Sequence, residues 1–219
     1  MNFLEYSTEI FDRMTNRPEY IRYSSQNPRL RLDKEHCLNV SKLSGDIWTK
    51  KFDIDPPTAL EISGLFHDCD RFFPDEIIDT QESAEGYENL KLEHSKKCAK
   101  IFEREVPELP KELTSDVSYM IKRHEIGGEK KEGQYIENPD KFTGTYNLNV
   151  STDQLTEADG VSFFSVILPE YVKWASQERV ENKIKFSFEK LSPIGQEMVR
   201  NIQYNEKIEK LVSPIIGNH

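Results

Sequence analysis

The sequence predicts an all-α helical bundle. Two observations carry that prediction: an apolar period close to 3.6 residues through most of the chain, and prolines and glycines between the periodic segments. Residues 2–15 form the first amphipathic segment, with Phe3, Leu4, Ile10, Phe11 and Met14 on its apolar stripe. Asn27-Pro28 breaks the chain, with Arg22, Arg29 and Arg31 scattered around the break. A second helix spans 34–51, carries Leu38, Val40, Leu43 and Ile47, and holds His36 in its first turn. Asp55-Pro56-Pro57 ends that helix and starts the next, because proline suits a first helical turn. Helix 57–68 contains Leu60, Leu65 and Phe66, delivers His67-Asp68 at its end, and is closed by Phe72-Phe73-Pro74.

Helix 89–105 sets His94, Cys98, Ile101 and Phe102 at i, i+4, i+7 and i+8, a single face. Helix 111–124 does the same with Leu113, Val117, Met120, Ile121 and His124, and Gly127-Gly128 terminates it. From about 125 to 152 the helical period is lost in a stretch rich in Gly, Lys, Asn, Thr and Tyr. A connection of that length reads as a lid or a short hairpin. Helix 153–175 follows, with Leu155, Asp159, Phe163 and Val166 on one stripe and Pro169 expected to kink or end it. Helices 176–190 and 193–211, the second after Ser192-Pro193, complete the bundle. With no internal repeat or low-complexity tract, residues 1–219 read as one helical domain.

Composition removes several function classes. No stretch approaches the apolar length that spans a membrane, and MNFLEYSTEIFDRM is too charged for a signal-peptide core, so a cytoplasmic location is expected. A formal net charge of -10 sets the chain against a nucleic-acid polymer as its partner. Three cysteines do not make a disulfide framework. Cys37, Cys69 and Cys98 each stand close to a histidine or aspartate of interest. They read as small buried hydrophobes, with a thiolate ligand as the sharper alternative that no CxxC pair supports.

Four of the five histidines form a spaced series with two aspartates: His36, His67-Asp68, His94, His124 and Asp159. The gaps of 31, 27, 30 and 35 residues are each about one helix plus a connection, so a bundle can bring all six side chains to one point. Asp159 shares its stripe with Leu155, Phe163 and Val166, where an uncompensated carboxylate would cost several kcal/mol, on the order of a broken buried pair. An arginine would compensate one such group. A cation compensates both carboxylates and uses the imidazole lone pairs as well. Four imidazoles favour a transition metal over magnesium or calcium. Six ligands exceed what one zinc takes, and suit two ions bridged by a carboxylate, an arrangement made to clamp attacking and leaving oxygens at phosphorus.

On these residues the chain resembles the HD-domain superfamily of metal-dependent phosphohydrolases, whose signature is H…HD…D on a helical bundle. The resemblance covers roughly residues 30–165, with the C-terminal helices packing on that region. His36, His67-Asp68 and Asp159 fill the signature, while His94 in EHSKKCAKIF and His124 in RHEIGG resemble the two further histidines of the binuclear subset. The resemblance implies two divalent transition-metal ions (Mn, Fe, Zn, Co or Ni). The first would be held by the signature residues and the second by His94 and His124, with Asp68 bridging. It implies hydrolysis of a small anionic phosphorylated substrate, a nucleotide or other phosphoester, by a metal-activated water.

The chain departs from the pattern at two places. Binuclear members read HDxxK, whereas here Arg71 stands where the lysine contacts phosphate; arginine keeps the charge and adds bidentate geometry. Arg71 is therefore the candidate substrate-binding and catalytic group beside Asp68. The glycine-rich stretch after His124 is only partly like that of the cyclic-dinucleotide phosphodiesterase branch, because Tyr-Pro does not follow Gly127-Gly128. Glu35, Glu93 and Glu125 adjoin ligand histidines and are candidate proton carriers, though most neighbours on a helix face solvent. Lys130, Lys131 and Lys141 are candidates to draw an anion toward the 125–152 loop. The same ligand set also resembles the HD-type mixed-valent di-iron oxygenases, and a non-catalytic nucleotide-sensing module is a third reading. A homo-oligomer is left open by the sequence.

Overall fold

The computed structural model describes residues 2–27, 30–76, 87–127, 142–143 and 146–217. They form an all-α bundle. Helix α1 (Phe3–Thr15) is capped by Asn2, whose side chain accepts from the Leu4 and Glu5 amides at 3.2 and 3.3 Å. Helix α2 (Pro18–Gln26) opens on proline and ends before Pro28. The sequence reading left this segment without a helix because it lacks an apolar stripe: Tyr20 is its one buried residue.

Helix α3 (Asp33–Phe52) and helix α4 (Thr58–Phe66) pack on each other more extensively than any other two elements among the described residues. Their contact is made by small residues. A Cβ built on Gly64 would sit 2.5 Å from Ser41 Cα and 2.6 Å from Ser41 N, so only glycine lets the backbones meet. That face of α3 is Cys37, Val40, Ser41, Ser44 and Gly45, and Leu38, expected on the apolar stripe, is 39% exposed. A close helix crossing selects small side chains, which turns the buried face away from the larger one. Asp53 closes α3 in the left-handed conformation (φ 55°).

After α4, a 3-10 turn (Cys69–Phe72) carries the chain away from His67-Asp68. Helices α5 (Tyr87–Glu105) and α6 (Lys111–Arg123) pack on each other and on α4. Two-residue strands β1 (Phe142–Thr143) and β2 (Tyr146–Asn147) pair antiparallel, with Phe142 opposite Asn147 and Thr143 opposite Tyr146. The rest of the expected 125–152 loop narrows on its C-terminal side; residues 128–141 and 144–145 lie outside the described residues.

Helix α7 (Leu148–Ser162) begins five residues before the sequence reading placed it. Its first turns bury Asn149, Ser151, Thr152 and Gln154, polar residues that hide the apolar period. Ser151 and Thr152 hydroxyls donate back to the Asn147 and Leu148 carbonyls, at 3.0 and 2.7 Å, which lets them be buried. The path widens to a π turn at Phe163–Ile167, and α8 (Leu168–Trp174) continues it. Pro169 lies in the first turn of α8, where its missing N–H and its ring against the i−4 carbonyl are accommodated by the wider turn.

Helix α9 (Gln177–Glu189) is capped by Ser176 and α10 (Pro193–Arg200) by Ser192. The single helix expected over 193–211 is two, because Asn205 caps a new helix α11 (Glu206–Ile216) by accepting from the Ile208 amide at 3.1 Å. One apolar core gathers α1 and α3–α7 around Phe11, Phe66 and Phe102. A second gathers the π turn and α8–α11 around Phe164, Ile184 and Val212.

Candidate metal centre

His67 and His124 occupy the same structural position, the residue just past the end of α4 and α6. There the last helical carbonyls lack amide partners. His67 Nδ1–H donates to Gly64 O at 2.9 Å and His124 Nδ1–H to Ile121 O at 2.8 Å, each to the carbonyl three residues back. A carbonyl only accepts, so the proton is on Nδ1 and the Nε2 lone pair points outward from the helix end. His36, in the first turn of α3, places Nδ1 2.9 Å from Ser162 Oγ, and Asn39 donates to the same hydroxyl at 3.0 Å. His94, on α5, places Nδ1 2.9 Å from Asp70 Oδ2. All four rings are therefore held through Nδ1, and all four turn Nε2 to one region.

Two adjoining ligand groups result. In the first, His36 Nε2 is 3.0 Å from Asp159 Oδ1 and 3.3 Å from His67 Nε2, and His67 Nε2 is 3.8 Å from Asp159 Oδ1. In the second, Asp68 Oδ1 is 2.8 Å from His94 Nε2 and 3.7 Å from His124 Nε2. The other oxygen of Asp68 reaches back toward the first group, 3.9 Å from His67 Nε2. Both groups are compact enough to hold a metal ion. Bonds of about 2.0–2.2 Å put neighbouring donors of one ion about 3.0–3.4 Å apart, close to these separations. The six residues singled out in the sequence are thus brought together, as two groups rather than a single point.

Asp159 differs from expectation in its burial. Leu155, Phe163 and Val166 are buried as the stripe requires, yet the Asp159 side chain is 37% exposed, because it opens onto a cavity of about 940 Å³. The cavity is bounded by His36, Asp68, Arg71, His124 and Asp159 at the site. Burial raises the Asp159 carboxyl, but the His36 hydrogen bond and the charges of His36 and His67 outweigh it and push it down to about 2. Burial opposes the charged form of His94 as well, yet Cys98 beside it and the hydrogen bonds to Asp68 and Asp70 hold it well above the ordinary imidazole value. For His67 burial wins, and its proton affinity falls.

Arg71 lines the same cavity, with Nε 3.8 Å from Asp70 Oδ1. Burial favours losing its proton, but the carboxylates of Asp68, Asp70 and Asp33 hold the guanidinium charged. Of the three glutamates beside ligand histidines, Glu35 and Glu93 are exposed. Glu125 lines the cavity and pairs with Lys91 at 3.1 Å. Lys130, Lys131 and Lys141 lie outside the described residues. The three cysteines are free and fully buried, and burial pushes their thiols up into the inert range. Cys98 Sγ lies 3.5 Å from Asp70 Oδ1 and forms a third ligand group with Asp70 and His94, although His94 Nδ1 is already engaged by Asp70.

Sequence reasoning missed Asp70, a fully buried carboxylate behind His94. Its one signal was a second aspartate two residues after the histidine–aspartate pair. A ring nitrogen donating to a carboxylate orients a metal-ligating imidazole and raises its basicity. Lys91 was also missed; it stands three residues before His94, hence on a neighbouring face of α5. Among the described residues no helix is long and apolar enough to cross a membrane. No family model, curated protein or solved structure matches this chain.

Proposed function

We propose that the protein is a metal-dependent phosphohydrolase of the HD-domain type, holding two divalent transition-metal ions. The observation that carries this reading is the convergence of four Nε2 atoms on two carboxylates, with every Nδ1 already occupied. His36 and His67 face each other Nε2 to Nε2 at 3.3 Å. Two lone pairs at that distance repel unless a cation or proton lies with them, and a metal satisfies both rings and Asp159 together. His36, His67 and Asp159 would hold the first ion and His94 and His124 the second, with Asp68 within reach of both groups. When bound, such ions supply Lewis acidity and a water activated near neutral pH.

The protein's own residues supply the rest. Arg71 offers a charged guanidinium on the cavity wall, suited to the non-bridging oxygens of a phosphoester. Asp70 holds His94 in one orientation, and Ser162 does the same for His36. Metal analysis of the purified protein should return two ions per chain. The manganese-loaded protein should release phosphate from small phosphoesters under nitrogen as fast as in air. Arg71→Ala should lower kcat/KM by about tenfold to a thousandfold while retaining both metals. Turnover that requires both oxygen and iron would move the site to di-iron oxygenase chemistry. Loss of metal in Arg71→Ala would make that residue a structural support of the site instead.

A further inference from the structure

Lys183, on α9, lies outside every motif of the sequence, yet it lines the cavity together with His36, Asp68 and Asp159. It is half-buried, and its Nζ is held by aromatic faces: the Phe163 ring centroid is 5.3 Å away and that of Phe186 6.0 Å. Among the described residues no carboxylate stands within ion-pair distance of it. The acidic groups that act on it from the neighbouring elements are Asp159 on α7 and Glu125 after α6. Asp159 is engaged by His36 and His67, and Glu125 by Lys91. Burial and the like charge of Lys91 both work against its proton, and its proton affinity is lowered accordingly. A half-buried cation without an ion-pair partner is costly unless an anion comes to it, and Lys183 presents that charge on the cavity wall.

Building on the phosphohydrolase reading, we infer that Lys183 forms a second anion subsite on the wall of the cavity that holds the metal centre, and that the substrate carries two anionic groups. One is the phosphoryl group at the metals; the other is a phosphate or carboxylate held by Lys183 of α9. The cavity volume of about 940 Å³ is at the upper end of the roughly 300–1,000 Å³ of small-molecule sites, which leaves room for both.

The test is calorimetric binding of inorganic phosphate and inorganic pyrophosphate to the metal-loaded protein, with metal content measured before and after. Pyrophosphate should bind about tenfold more tightly than phosphate, or better, as charge-assisted hydrogen bonds to a second group allow. Lys183→Met should abolish that difference, leave phosphate affinity within about twofold and keep both metals, and Lys183→Arg should restore most of the preference. Equal binding of the two anions by the wild-type protein, or an equal loss of both in Lys183→Met, would overturn the subsite while leaving the phosphohydrolase reading in place. Binding of neither anion by the fully metallated protein would overturn that reading and the subsite with it.

Discussion

Asp68→Ala is expected to lower turnover by more than about a thousandfold, about 4 kcal/mol of transition-state stabilisation, and to reduce the metal content below two ions per chain. Among the described residues Asp68 is the carboxylate that reaches both ligand groups, 2.8 Å from His94, 3.7 Å from His124 and 3.9 Å from His67. Without it the second group has no carboxylate among its own ligands, and the charge of an ion there is offset less directly, through Asp70 behind His94, 2.9 Å from the other ring nitrogen. Metal binding is also folding free energy at such a site. An ion present at 100 to 1,000 times its dissociation constant stabilises by about 2.7–4.1 kcal/mol. At roughly 2–4 °C per kcal/mol for a chain of this size, the variant should melt some 5–15 °C below the metal-loaded wild type. Chelation of the wild type should lower its melting temperature by at least as much. Elemental analysis, phosphate release and thermal melts check the three parts. Full activity with two bound ions in Asp68→Ala would remove the spanning role, and the same result in Asp159→Ala would remove that residue from the first group.

Gly64→Ala should be the most disruptive added methyl among the described glycines. The added Cβ would lie 2.5–2.6 Å from the backbone of Ser41 and 3.0 Å from the Val40 carbonyl carbon, and none of these can swing aside as a side chain can. Overpacking of a core costs about 1–3 kcal/mol where side chains absorb it, so about 3 kcal/mol or more is expected here, a fall in Tm of roughly 6–12 °C. The consequence reaches the site. Gly64 O fixes the His67 ring, and His36 is on α3, the helix that would be pushed away. Parting α3 from α4 lengthens the 3.3 Å His36–His67 separation, so metal affinity should fall in the molecules that remain folded. Gly45→Ala is the control: its Cβ would meet the Pro56 and Glu61 side chains at 3.3–3.4 Å, which can yield. A Gly64→Ala protein that melts within 2 °C of wild type, with its metals in place, would show that the crossing is looser than described.

The all-α class, eight helical segments by position or approximate span, and the six candidate ligands were legible in the amino-acid order alone. Periodicity and helix ends are local properties, and the helix 89–105 stripe of His94, Cys98, Ile101 and Phe102 records its own buried face. Histidine and aspartate are costly on such faces, so six of them at helix-length intervals point to one centre before any contact is known. Tertiary structure decided the rest, wherever burial did not follow hydrophobicity. The start of α7 was hidden because its buried residues are Asn149, Ser151 and Thr152, whose hydroxyls and amides are satisfied by neighbours no pattern names. Helix α2 was hidden for the opposite reason, since it buries too little to leave a stripe. Asp159 looked buried by its neighbours in sequence, but a cavity made by other helices opens onto it. Asp70 behind His94, Lys183 across the cavity and the Gly64–Ser41 approach all join residues far apart in the chain. The amino-acid order determined which side chains were candidates to share a cation; only the packing of α3, α4, α5, α6 and α7 decided their division into two groups and which charges face the space beside them.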